Sequence, residues 1–256
     1  MDEYAARQAL RAMSPRMPGA DIASLVVPVT QAWNDHRAGG PLMATMAVIA
    51  DATWRPGYTA GTAHGHAFVT DFFATAAQRH LTGDASRLNE PSRLNEQSQR
   101  LLRAVAGTAA AIAKAEPTVT DEGPSRYDYL TAMGDANGDT DPERAAIAAR
   151  VGWQHGYHTG DADAAWSAAG RIVSTVKDLL GTDTLQAASL DGLSAKDWLT
   201  RLDVTSREHS ERDVMYPRSA TAQAFAPLRE VRADTARDAA AVPSGTLPQQ
   251  RQGRRR

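Results

Sequence analysis

The histidines are the residues best equipped for chemistry in this chain, because it contains no cysteine. Four of them form two close pairs, His64 with His66 and His155 with His158. The second pair is spaced i, i+3, which puts both rings on one face of a helix. With Asp71 or Asp163 the four would make a nitrogen and oxygen set of the kind that holds zinc or iron. Against this, the chain has no His-Glu-x-x-His pattern, and a place at polar helix ends is the preferred account of the same four. A metal-dependent enzyme using His64, His66, His155 and His158 is therefore the second functional reading, and no cofactor is assigned.

Other patterns carry less. Asp135, Asn137, Asp139 and Asp141 alternate like the start of a calcium loop. Position six is then Thr140 where a glycine is needed, and position twelve is Ala146 where the bidentate glutamate belongs. Turn and capping chemistry accounts for these residues without an ion. The sequence has no Gly-Lys-Ser/Thr phosphate loop, no Gly-x-Gly-x-x-Gly and no Gly-x-Ser-x-Gly elbow. The last residues include Arg251, Arg254, Arg255 and Arg256. Such a tail attracts phosphates electrostatically but offers no aromatic ring for base stacking. It supports a third reading, a nucleic-acid accessory protein.

The elements that must position these residues read as helical. The chain has 256 residues, 42% apolar and 23% charged, with a net charge of −2. Alanine dominates, and no run alternates with a period of two, so strands are not expected. The preference for arginine over lysine fits a high-GC bacterial genome. The longest uncharged stretch, Ala38 to Ala50, is too short to cross a bilayer. No signal peptide is recognisable, which predicts a cytoplasmic protein with no membrane partner.

Helices are expected over 2–13, 21–37, from Met43 through Trp54, over 62–81 and from Ser92 to about Glu116. More follow at 142–158, 162–180, 194–202 and 220–240. Pro28 would kink or split the second. Residues 86–96 repeat Ser-Arg-Leu-Asn-Glu at a period of six, which suits a loop. Four regions result: a helical half over 1–117, an acidic Gly/Pro linker over 118–141, a second helical half over 142–240, and a disordered basic tail over 241–256.

The strongest signal is internal. Trp54, Gly57, Tyr58 and Gly61 return as Trp153, Gly156, Tyr157 and Gly160 at an offset of 99. None of the histidines is repeated at that offset, which argues against an ancestral symmetric metal site. Two geometries fit the motif. In one it lies within a long helix, and the glycines make a stripe for close helix approach. In the other, preferred here because of Pro56, it is the corner of an αα-hairpin. Gly61 and Gly160 would then end one helix, and Thr62 and Asp161 would cap the next. The expected fold is all-α: a bundle of two related αα-hairpin units with a disordered C-terminal tail. The leading functional expectation is a non-enzymatic interaction or scaffold protein that self-associates.

Overall fold

Six helices account for nearly all regular structure in the computed structural model, which describes residues 1–82, 94–117 and 138–215. They are α1 (Glu3–Met13), α2 (Ile22–Arg37), α3 (Leu42–Leu81), α4 (Glu96–Ala113), α5 (Asp141–Ala187) and α6 (Ala195–Met215). Most of the linker and of the Ser-Arg-Leu-Asn-Glu repeat, the helix expected at 220–240 and the tail with Arg251, Arg254, Arg255 and Arg256 lie outside the described residues. Met1–Met215 forms one compact unit. Among the described residues no helix is long and apolar enough to cross a membrane.

Local chemistry sets the helix starts. Asp2, Asp21 and Asn95 each accept a bond from a backbone N–H in the first turn of α1, α2 and α4. α5 opens with a capping box between Thr140 and Glu143 and carries Pro142 in its first turn. The Glu143 carboxylate accepts from the backbone N–H groups of Thr140 and Asp139, which hold its pKa below the ordinary glutamate value.

The hairpin corner does not form. α3 runs unbroken for 40 residues, and α5 is continuous from Asp141 as far as Gly181, so both copies of the motif lie in mid-helix. Pro56 is accommodated inside α3, as Pro28 is inside α2. Gly57, Gly61, Gly156 and Gly160 keep helical backbones; among the described residues the glycines with positive φ are Gly19, Gly181 and Gly192. Gly181, at φ 68°, kinks α5 where the helix was expected to end. Thr62 and Asp161, expected as caps, are buried in mid-helix.

The reason for the motif glycines is the neighbouring backbone. A Cβ on Gly57 would lie 2.3 Å from the Trp153 carbonyl oxygen, and one on Gly156 would lie 2.1 Å from that of Trp54. Gly61 meets the Tyr157 carbonyl in the same way, and Gly160 that of Tyr58. The offset of 99 turns each contact into its mate. Gly152 presses on the Ala50 carbonyl; its counterpart Thr53 donates its hydroxyl to the Ala149 carbonyl at 2.9 Å. The paired positions rise together along both helices, so α3 and α5 run parallel, backbone against backbone. This is the small-residue packing that permits the closest helix approach.

Two apolar clusters flank this seam. The first joins α1, α2 and the leading halves of α3 and α5, with Leu10, Val29, Trp33, Ile49, Trp54 and Tyr58 buried. The second joins the trailing halves to α4 and α6 through Val69, Phe73, Leu101, Val105, Ile172 and Leu199. A small antiparallel hairpin, not foreseen, pairs Ser189–Leu190 with Leu193–Ser194. Asp191 and Gly192 turn it with positive φ, as a two-residue hairpin loop requires.

Candidate functional site

Between the two clusters lies a band of glycines and polar groups, and it holds most of the residues singled out above. Trp54 and Trp153 are both buried, but their indoles have different partners. Trp54 stacks on Tyr58, with ring centroids 4.9 Å apart, and its Nε1 donates to His155 Nδ1 at 3.3 Å. At the offset of 99 His155 corresponds to Pro56, so Trp153 has no such imidazole and donates to the Pro18 carbonyl at 3.3 Å. Tyr58 donates its hydroxyl to Asp163 at 2.8 Å. The same offset carries that pair onto Tyr157 and His64, whose rings lie 5.8 Å apart. The seam thus has near-symmetric aromatic positions with chemically different partners on its two sides.

The most concentrated chemistry is around Asp161. Its side chain is 2% exposed, and Oδ1 lies 2.7 Å from His64 Nδ1. Ser210 of α6 donates to the same carboxylate at 3.0 Å from each oxygen. Three helices therefore meet at one carboxylate. Its burial is sustained because both oxygens receive hydrogen bonds. A carboxylate on Nδ1 orients an imidazole for proton transfer. Here, however, the serine proton goes to the acid and not to the imidazole, so the set lacks the serine-to-histidine bond of a nucleophile and its base.

The other histidines are dispersed. His66 is 7% exposed, and its Nε2 has no hydrogen-bond partner among the described residues. Burial holds its pKa below the ordinary histidine value. The charge of Arg171 adds to this, while a bond to the Ile112 backbone opposes it. His158 keeps an exposed edge. Desolvation still lowers its pKa against the pull of Asp161, with a further push from His155. Among the described residues no three histidine, aspartate or glutamate side chains gather as a set for a metal ion, so His64, His66, His155 and His158 do not share one centre.

His66 gives the fold a pH dependence of definite sign. A lowered folded pKa means that the unfolded chain binds the proton more readily. The contribution is complete above the ordinary histidine pKa and is lost as pH falls through that value towards the folded one. Melting temperature should drop from about pH 7.5 to about pH 5.5, and His66→Gln should flatten that slope. Equal slopes for the two proteins would remove His66 as the source.

Reasoning from sequence missed Asp161, Ser210 and the pair of Trp166 and Arg207 on α5 and α6. Asp161 was legible only as a cap. Its meeting with His64 follows from the parallel register of α3 and α5, which sets residue 64 level with 163, within a turn of 161. Arg207 lies over the Trp166 ring, its Cζ 3.6 Å from the centroid, and pairs with Asp203. Trp166 is 62% exposed. Compared with known proteins, the chain matches no family model, no curated sequence and no solved structure.

Proposed function

We propose that this chain is a non-enzymatic helical interaction protein that self-associates through the surface of α5 and α6 around Trp166. The observation that carries this reading is the exposed Trp166 ring under Arg207. Tryptophan and arginine are the residue types that dominate interface energetics. Arg207 is already oriented: its guanidinium pairs with the Asp203 carboxylate, and its Nε donates to the Asp203 carbonyl at 3.2 Å. An ordered pair loses little side-chain entropy on docking. Val204, one turn from Arg207 on α6, is also exposed. A second copy is the partner of choice, since a twofold contact lets one patch serve both subunits. Cytoplasmic location belongs to the same proposal.

The interior supports a structural role. The groups best able to do chemistry are bonded to one another across helices: His64 and Ser210 to Asp161, Tyr58 to Asp163, and Trp54 to His155.

Sedimentation equilibrium tests the proposal. The wild-type chain should sediment as a dimer over the upper concentration range, and Trp166→Ser should shift it to monomer. The variant should melt at nearly the same temperature, because the ring is not in the core. A wild-type monomer at every concentration, or a dimer indifferent to Trp166→Ser, would overturn it.

A further inference from the structure

Arg150 stands half-buried on α5, and its Nε is fully buried with no hydrogen-bond partner among the described residues. A buried guanidinium N–H left without an acceptor is costly. The surrounding sequence offers none of the usual acids: residues 146–154, one turn to either side, contain no aspartate or glutamate. The acids at the start of α5 are engaged elsewhere. Glu143 takes the backbone N–H groups of Asp139 and Thr140, and Asp141 pairs with Arg144.

A second arginine is held against this position. Residues 150, 153 and 154 share a helix face. Gln154 Nε2 donates to the Arg16 carbonyl at 2.9 Å, and the Trp153 indole donates to the Pro18 carbonyl. These two bonds clamp residues 16–18 across the face that carries Arg150. Residues 13–20 contain no acid either. The charge of Arg16 reaches Arg150 and, after burial, is the second cause that lowers its pKa. Arg16 is thus anchored through its backbone beside the face that carries Arg150, and neither segment supplies a carboxylate there.

We propose that Arg16 and Arg150 form a binding site for a phosphate group. Guanidinium groups match phosphate oxygens with paired, charge-assisted bonds. Two positive charges also balance the roughly −1.5 to −2 of a phosphate monoester at neutral pH. A carboxylate, with a single charge, would leave the pair partly repelling. The site is independent of the Trp166 surface, from which Arg150 is separated by about 24 Å of α5.

Thermal unfolding of the full chain tests this, with inorganic phosphate titrated against sodium chloride and sodium acetate at matched ionic strength. Phosphate should raise the melting temperature saturably, by about 2 °C or more, beyond either control. Arg150→Gln and Arg16→Gln should each lose that response. Without phosphate, Arg16→Gln should melt no lower than wild type, because it removes a like-charge repulsion; a purely structural Arg16 would give a drop. Arg16 lies in an exposed turn and meets Gln154 through its backbone, so this variant decides the matter even if Arg150→Gln fails to fold. The proposal is overturned if phosphate does no more than chloride, if acetate does as much, or if Arg16→Gln still responds.

Discussion

Gly61→Ala and Gly156→Ala should each cost about 3 kcal/mol or more, a fall in melting temperature of about 10 °C. The physical reason is the partner's backbone. The new Cβ would stand 2.0 Å from the Tyr157 carbonyl oxygen in the first variant and 2.1 Å from that of Trp54 in the second. A flexible side chain could turn aside, but a carbonyl in the middle of a helix cannot. To admit the methyl group, α3 and α5 must separate, which loosens every contact along the seam. Gly107 and Gly170 are the controls. Both are helical, and a Cβ there meets nothing within 4 Å. Alanine at either should stabilise the chain by about 0.5–1 kcal/mol, because it restricts the unfolded state and favours helix. Melting curves of the four variants give the comparison, and equal effects at Gly61 and Gly170 would refute the seam.

Asp161→Ala should cost about 2 kcal/mol, towards the lower end of what leaving the buried partners of a carboxylate without their hydrogen bonds brings. The lower end applies because the His64 side chain remains 27% exposed, so water can satisfy part of what the carboxylate leaves. The Ser210 hydroxyl, wholly buried, has no such relief. Asp161→Asn keeps one acceptor oxygen and should fall between. The two losses should not add: Ser210→Ala should cost much less in the Asp161→Ala background than alone, since the bond it removes is already gone. Denaturant unfolding of the single and double variants measures this. Additive costs would mean that Ser210 and Asp161 act separately.

The all-α fold was legible because alanine-rich, alternation-free sequence leaves helix as the main option, and because caps such as Asp21 and the start at Thr140–Glu143 carry their own chemistry. The seam was half-legible. The recurrence of Trp54, Gly57, Tyr58 and Gly61 at 99 residues was visible, yet the corner was preferred over the continuous helix. Pro56 decided that preference, and tertiary packing overrode it. One proline in a 40-residue helix is tolerable when the flanking turns are held from outside, here by a partner helix along most of their length. A glycine does not declare from sequence whether it is there for positive φ or for a neighbour's backbone; only the register of α3 on α5 separates the two. The Asp161 cluster was illegible for the same reason, since its members are 97 and 49 residues apart in sequence. The Arg16–Arg150 pair likewise depends on the clamp made by Trp153 and Gln154.

Parallel, reciprocal contact between α3 and α5 is the claim on which the account of the fold depends. Glycine-selective labelling with nuclear Overhauser spectroscopy tests it most directly. The structure predicts cross-peaks from the Gly57 α-protons to Trp153 and from the Gly156 α-protons to Trp54, with Gly61 to Tyr157 and Gly160 to Tyr58 as the second pair. Finding these glycines without any interhelical neighbour, or in contact only with residues of their own helix, would contradict it.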